Sequence, residues 1–444
     1  MWRVLSVLPV LWLVAAPLHA QGLREKLSGL FIFGPGEDPL FLAGSGDPNN
    51  PSSLRVHGSH FIPAAVSSNG TMIAFLTDAI GANVAQIPVS ATSSGETFRF
   101  QGGVPVRTSR SPGPVFGERA QTLGRGRILV GANRTGIDFR TLRGVDLHNI
   151  ELTFTHENVD FPGCDSVAHG DCSLMGIPSV ENDIMPFHLS LDVNLAVTSF
   201  FVTYGLFDHV DIGVVLPIVA TSLRGESIAQ IIPFGGPTAA HFFGGTPEHP
   251  VLSASRFEEG SATGLGDVAV RVKVSARESG PVAVAVLGDV RFPTGSTDDL
   301  LGSGIFQARG LGIFSAQFGA FSPHVNFGYL VRGGSVQNDA VLATVGFDHL
   351  MAPWATLAAD VISELQVGSN KLRLPGQVII QAPFQRTVDP TTIPDTRDDI
   401  VNGSLGMKFT ATSGLTLVAN AAWPLNRGGL RPDIMWTLGL EYNF

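Results

Sequence analysis

The last eleven residues of the chain alternate between apolar side chains and small, polar or flexible ones, and they end on an aromatic residue. Successive side chains of a β-strand point to opposite faces, so this pattern predicts a strand with two unlike faces. The apolar face consists of Ile434, Trp436, Leu438, Leu440, Tyr442 and Phe444. A strand of this kind is typical of a barrel wall that separates lipid from a watery interior.

Similar two-sided segments recur upstream, and together they predict twelve strands. Their spans are 125–140, 186–203, 210–221, 265–276, 281–293, 305–319, 324–333, 340–349, 354–366, 398–411, 415–426 and 434–444. Short, turn-rich connections alternate with longer ones along this series. Single-chain outer-membrane barrels have an even number of strands, short periplasmic turns and long outer loops. We therefore expect an all-β protein, an antiparallel transmembrane β-barrel of about twelve strands, with both termini in the periplasm.

The region before the first strand, residues 21–124, does not have the strand pattern. It is rich in Gly, Pro and Ser, and it predicts either a periplasmic extension or a plug inside the barrel. A further hairpin around Thr97–Arg107 would raise the number of strands to fourteen, which is also even. We divide the chain into a signal peptide (1–20), this N-terminal segment (21–124) and the barrel (125–444).

Charged and polar side chains within the predicted strands fall opposite the apolar face, because a charge facing lipid costs about 2–4 kcal/mol near the bilayer midplane. The residues that we expect to line the lumen are His188, Asp192, Asn194, Asp267, Arg271, Lys273, Asp289, Arg291, Arg332, Asp360, Glu364, Lys408 and Glu441. Their mixed signs argue against a ring of one charge that would select ions. The strand at 305–319 is irregular, since Leu311 and Ile313 share a parity with Ser315, and we expect a bulge or glycine kink at residues 310–312.

The start and the composition of the chain support export to a membrane. A short basic start, an apolar run and a small-residue exit at Ala20 predict a secretory signal peptide. The chain is 44% hydrophobic and only 15% charged, with a mean hydropathy of +0.24, whereas soluble proteins carry about 25% charged residues. The net charge of −10 argues against nucleic acid as a partner. We expect membrane lipid as a partner and the outer membrane of a Gram-negative bacterium as the location.

Two cysteines and one acidic pair are the candidates for special chemistry in the connections. Cys164 and Cys172 stand close together in an exported chain, which predicts a disulfide. With His169 they would form an incomplete metal site. Asp298 and Asp299 are either calcium ligands or a solvated loop pair. No cofactor or metal is predicted.

Three stretches of the sequence are similar to one family of outer-membrane barrels. They are FGERAQTLGRGR at 116–127, YGLFDHVDIGVVLP at 204–217, and GLGD at 264–267 followed by DVRFPTGSTDDLLGSG at 289–304. The region 114–444 resembles the barrels of the MetA pathway of phenol degradation. The resemblance implies a channel or transporter for passive or facilitated uptake of small hydrophobic or aromatic solutes. The end of the chain, with Trp436, Tyr442 and Phe444, likewise resembles the signal that the barrel-insertion machinery recognises, so this machinery is an expected partner.

Two other functions remain as alternatives. A barrel without transport would serve adhesion or envelope structure through the loops 141–185 and 222–264. An enzyme would need a nucleophile beside a base, yet no Gly-x-Ser-x-Gly motif occurs. His188, Ser190 and Asp192 share one strand face, where side chains run parallel and do not converge into a triad. We therefore expect that the protein is not an enzyme. The oligomeric state is not predicted.

Overall fold

The computed structural model describes residues 22–33, 43–44, 79, 98–101, 104–107, 112–155, 184–233, 241–246, 248–277, 281–334, 337–372, 374, 377–380, 385–411 and 414–444. The signal peptide, Cys164, Cys172 and His169 lie outside these residues. No described helix is long and apolar enough to cross a bilayer.

Twelve strands of the described residues form a closed antiparallel barrel, as the sequence pattern predicts. They are β1 (Ile128–Leu142), β2 (Ile184–Phe207), β3 (Val210–Gln230), β4 (Ala269–Arg277), β5 (Val282–Arg291), β6 (Gln307–Ala316), β7 (Phe321–Arg332), β8 (Ala340–Ala352), β9 (Ala355–Gln366), β10 (Ile400–Thr410), β11 (Leu415–Pro424) and β12 (Leu430–Asn443). Each strand pairs with its neighbours in sequence, and β12 returns to β1. Closure pairs the backbone groups of every wall strand, as lipid requires.

Further strands, which are not part of the closed ring of twelve, occur in the connections and in the N-terminal region. They are Ala43–Gly44, Phe98–Gln101, Val104–Arg107, Val145–Asp146, Ile150–Thr155, His241–Phe242, Gly244–Thr246, His249–Val251, Ser253–Leu265, Val378–Ile380 and Arg386–Val388. The hairpin Phe98–Arg107 pairs only with itself among the described strands. It does not enter the wall, and the barrel therefore has twelve strands rather than fourteen.

The outer and inner surfaces of the barrel differ in chemistry along most of the wall. Exposed aromatic and aliphatic side chains cover the outside, for example Val272, Val286, Phe327, Val345 and Leu438. Buried polar and charged side chains cover much of the inside. On β12 the outward residues include Trp436, Leu440, Tyr442 and Phe444, whereas Thr437 and Glu441 are buried. This outer surface is that of a barrel that spans a bilayer.

The prediction for the outer half of β2 was wrong about which face turns inward. Leu189, Leu191 and Val193 are buried on the inner face, whereas His188, Asp192 and Asn194 lie on the opposite, half-exposed or exposed face. The reason is that an apolar cap, formed by residues 23–33, fills the mouth of the barrel at the level of these side chains. Apolar side chains are therefore required inside, and the alternation alone could not reveal this reversal.

The predicted irregularity in β6 is absent. β6 pairs with β5 and β7 in continuous register from Gln307 to Ser315. Leu311 and Ile313 point inward and pack with Ala120 and Ala285. Their shared parity with Ser315 thus reflects a chain segment inside the barrel that supplies apolar contacts.

The predicted loop 222–264 is largely strand. β3 continues to Gln230, and Ser253–Leu265 pairs with its outer half, from Ile218 to Gln230. The wall at this side therefore rises as an extended sheet beyond the other strands.

Helix α1 (Leu23–Gly29) closes the mouth of the barrel beneath this extended sheet. Leu27, Leu30 and Phe31 are almost fully buried in a core with the inner face of β2 and β3. Phe31 stacks on Phe187 with ring centroids 4.9 Å apart. Residues 23–33 thus form the apolar cap of the barrel.

The residues where the first and last wall strands meet lie at one end of the barrel, and the apolar cap lies at the other. Ile128 N–H donates to the Phe444 carbonyl at the end with the tight turns. Arg24 N–H donates to the Asp298 carbonyl in a long connection at the other end. The first and last wall strands therefore meet at one end of the barrel, and residue 24 lies at the other end.

We expect Leu27→Ala to destabilise the apolar cap. Removing a buried Leu side chain costs about 2–5 kcal/mol through lost transfer energy and the cavity left behind. Limited proteolysis in detergent should show faster cleavage after the helix. Leu27→Met, which keeps the apolar volume of the side chain, is the control, and equal cleavage of both variants would contradict the packing described.

Candidate solute conduit

A chain segment enters the barrel before β1 begins. This interior segment, residues 112–127, is anchored at both of its ends near the tight-turn end. The Lys408 ammonium donates to the Pro112 carbonyl at 3.3 Å. The Leu123 N–H donates to both oxygens of Asp211, at 3.1 and 3.0 Å. The residues between form a loop that rises into the lumen.

The Asn326 side chain holds the top of the interior segment through hydrogen bonds to its backbone. The Glu118 N–H donates to Asn326 Oδ1 at 2.7 Å, and Asn326 Nδ2 donates to the Glu118 carbonyl at 2.9 Å. The Ala120 N–H donates to Ser315 Oγ at 3.2 Å. Buried backbone groups require hydrogen-bond partners. Side chains of the wall supply these partners here, because the loop has no helix or sheet of its own to provide them.

Buried charges of the segment are matched by the wall. Arg119 forms a two-pronged ion pair with Asp348, whose Oδ1 lies 2.9 Å from Nε. Glu118 accepts a hydrogen bond from Arg271 at 2.8 Å, and its other oxygen lies 3.9 Å from the Lys273 ammonium. Removing one member of a buried pair costs about 3–5 kcal/mol. The ion pairs therefore fix the segment firmly across the lumen.

Gly117 allows the segment to pass close to a second buried pair. His324 Nε2 lies 2.7 Å from Asp360 Oδ1, and both side chains are fully buried. A Cβ atom added to Gly117 would overlap His324 and touch Asp360. Only glycine fits this contact without displacing its neighbours.

A cavity lies inside the barrel beside the interior segment, between Phe116 and Glu118 of that segment and the wall. Its volume is about 850 Å³, including the part open to solvent. Its apolar lining consists of Phe116, Leu311, Leu330, Leu342 and Ile362. Its charged and polar lining consists of Arg271, Arg291, Arg309, Glu118, Asp289, Glu364, Gln307, Asn326, Thr344 and Ser363. Ligand sites are concave and combine apolar surface with polar groups that orient the ligand. This cavity is the candidate solute site.

The remaining lumen candidates have structural partners in the wall. Arg332 pairs with Glu364 at 2.5 Å, and Lys408 with Glu441 at 3.3 Å. The Asp267 carboxylate accepts hydrogen bonds from Gly295 N–H and from Ser303 N–H and Oγ. Asp267 therefore ties the long connection after β5 to the barrel rim.

Several residues of the site escaped the sequence analysis. Glu118 and Arg119 lie in the stretch at 116–127, which has no strand pattern that would indicate a position in the lumen. Arg309 and Gln307 lie in β6, whose parity indicates inward positions once the expected bulge is discarded. The contact between residues 118 and 326 spans 208 positions, and no local pattern reveals it.

His188 and Asp192 belong to separate pairs on the outer surface. His188 contacts Glu151 at 2.8 Å. Asp192 contacts His148 Nε2 at 2.8 Å, and Asp146 lies 3.1 Å from His148 Nδ1. These two residues do not converge on Ser190 as a catalytic triad would require.

Metal candidates find no support among the described residues, where no group of three ligating side chains occurs. Asp299 is hydrogen-bonded to Ser296 Oγ at 3.0 Å, and the backbone carbonyl of Asp298 accepts from the helix.

Comparison with known proteins gives one family match. Residues 175–359 match the model described as "Putative MetA-pathway of phenol degradation", which confirms the resemblance seen in the motifs. The matched region includes Arg271, Arg291 and Arg309. The search of curated protein sequences gave no match.

Three solved structures illustrate the structural similarity. An outer membrane channel from Pseudomonas putida F1 is 11% identical, with a TM-score of 0.40 over 73% of this chain and 98% of that chain. A FadL homologue from Pseudomonas aeruginosa is 12% identical, with a TM-score of 0.34 over 80% and 98%. The P. putida toluene transporter TodX is 8% identical, with a TM-score of 0.34 over 80% and 99%.

We expect His148 to titrate above its ordinary value. The hydrogen bond to Asp192 raises the pKa of His148, and Asp146 adds to this effect. The stabilisation from the charged contact is complete below the unfolded pKa of about 6.5 and is lost as pH rises through the folded pKa. An imidazole NMR titration should place the midpoint above 6.5, and Asp192→Asn should lower it.

Glu226→Gln is the matched control, because it removes an exposed carboxylate from the neighbouring strand. An equal shift in both variants would show that general surface charge, rather than the Asp192 contact, sets the pKa of His148.

Proposed function

We propose that this protein is an outer-membrane channel for uptake of small hydrophobic or aromatic molecules, and that it performs no chemistry on them. The observation that carries this proposal is the cavity beside the interior segment, with Phe116, Leu311 and Leu342 in its lining. A closed barrel with an apolar outer surface gives such a cavity access only from its ends or through its wall. Passage of a solute is the function that this geometry supports best.

The interior segment is the proposed restriction of the conduit. Twelve strands enclose a lumen between the side-chain-filled barrels of about eight strands and the open porins of 16–18 strands. Residues 112–127 occupy part of that lumen and are fixed by Asn326, Asp348 and Arg271. We therefore propose a selective conduit in place of a wide pore.

The family description supports the choice of the first solutes to test. It names phenol degradation, and phenol combines an aromatic ring with one polar group, as the lining combines apolar and polar side chains. The His188 and Asp192 contacts give no support to an enzyme, since each residue has a different partner.

We expect purified protein in proteoliposomes to carry radiolabelled phenol and benzyl alcohol faster than protein-free vesicles. Gly117→Val should raise this flux several-fold, because the added side chain overlaps His324 and displaces the interior segment. Gly136→Ala is the matched control, since a Cβ there meets open space, and its flux should equal that of the wild type. Wild-type flux no faster than in empty vesicles, together with an unchanged Gly117→Val, would rule out the channel.

We also propose that the end with the tight turns faces the periplasm, where Tyr442 and Phe444 would meet the insertion machinery, with Trp436 further along the same outer face. All three side chains are exposed on the outer surface of β12. Deleting Phe444 should reduce the amount of folded, heat-modifiable barrel in outer membranes, whereas Leu425→Ala, in an exposed connection, should not. Equal assembly of the two variants would contradict this role.

A further inference from the structure

Two rows of inward side chains cross four neighbouring strands of the barrel beside the cavity. The first row consists of Arg271, Asp289 and Arg309 on β4, β5 and β6. The second row, one step closer to the long connections, consists of Arg291, Gln307 and Arg332 on β5, β6 and β7. Cross-strand partners lie about 4.5–5.5 Å apart at Cβ, so these side chains form one continuous polar patch.

The positive charges of this patch exceed the negative ones. Arg271 pairs with Glu118 and Arg332 pairs with Glu364. Arg291 and Arg309 share the single carboxylate of Asp289, at 3.4 and 3.3 Å. Within the described part of the chain, neither guanidinium has another hydrogen-bond partner. One positive charge and several N–H donors therefore face the cavity without a match.

Gln307 supplies an independent sign of a ligand site. Its side chain is 1% exposed, lies between Arg291 and Arg332, and lines the cavity. Neither its amide nitrogen nor its amide oxygen has a hydrogen-bond partner among the described residues. Buried amides are normally satisfied, so this amide marks a place where a polar group of a ligand fits.

The same cavity is apolar on another side. Phe116, on the interior segment, and Leu330, Leu342 and Ile362 of the wall contribute this lining. A molecule that satisfies both sides has an apolar body and one negatively charged end. Guanidinium groups bind carboxylates with good geometry, and the unmatched charge corresponds to a monoanion.

We propose that the cavity is a binding subsite for small carboxylates with an apolar or aromatic body. The carboxylate contacts Arg291, Arg309 and the Gln307 amide nitrogen, and the ring packs on Phe116. This inference rests on the proposed channel function and narrows its substrate class from neutral hydrophobic compounds to amphipathic acids.

Benzoate and its neutral isostere benzamide are the probes. Calorimetry on the full-length protein in detergent at pH 7.5 should show benzoate binding about tenfold or more tightly than benzamide, the difference expected for one charge-assisted hydrogen bond. Arg309→Gln and Arg291→Gln should each weaken benzoate binding about tenfold and leave benzamide binding within about twofold. Arg309→Lys should restore part of the affinity because it keeps the charge.

Two further variants separate binding from bracing of the wall. Arg427→Gln removes the same charge from an exposed connection and should leave benzoate binding unchanged. Gln307→Leu should weaken benzoate binding without lowering the urea midpoint of the barrel, because the amide has no partner in the protein to lose. A lower urea midpoint with unchanged benzoate binding would assign Gln307 to structure and overturn its role as a ligand.

The outcomes distinguish this subsite from the channel itself. Equal binding of benzoate and benzamide, or equal losses for both in Arg309→Gln, would overturn the carboxylate subsite even if the vesicles transport phenol. Selective benzoate binding that Arg309→Gln weakens would support the subsite even if flux does not exceed that of empty vesicles. In that case the channel proposal alone would fail.

Discussion

The structure depends on the requirement that every backbone group in contact with lipid must find a partner within the sheet. An open sheet would leave two unpaired edges in hydrocarbon, where each unpaired group costs several kcal/mol. Pairing of β12 with β1 removes these edges. Closure also directs one face of every strand into a confined space, and the chain must then provide partners for the side chains collected there.

The interior of the barrel has three regions that differ in chemistry: the interior segment, the apolar cap and the cavity. The interior segment occupies the end with the tight turns and exchanges hydrogen bonds and ion pairs with Asn326, Arg271 and Asp348. The apolar cap occupies the other end, where Phe31 and Phe187 stack. The cavity lies beside the interior segment, and the charges of Arg291 and Arg309 there are incompletely matched. The apolar cap and the interior segment both precede the first wall strand in the sequence. The N-terminal region, rather than the wall, therefore determines how much of the lumen remains open.

The sequence predicted the wall well and its contents poorly. The twelve strands are visible because alternation is a local property, imposed by lipid on one side of each strand. The reversed faces at His188, Asp192 and Asn194 arose because alternation shows that two faces differ, but not which of them is inside. At that level an apolar cap replaces water, so the usual rule of polar side chains inside fails. The contacts of Glu118 and Arg119 join distant parts of the chain, and Gln307 was hidden by the expectation of a bulge that β6 does not contain.

The pairing of Lys408 with Glu441 has a consequence for the order of assembly. Lys408 on β10 is 1% exposed at its side chain, and Glu441 belongs to the last strand. The Pro112 carbonyl of the interior segment also contacts this ammonium group. Until β12 is in place, the ammonium lacks its carboxylate, and an ion in a low-dielectric environment is strongly disfavoured without a counter-charge. Insertion of the final strand therefore closes the seam and supplies the counter-charge of Lys408 in the same step, at the point where this ammonium group also holds the Pro112 carbonyl.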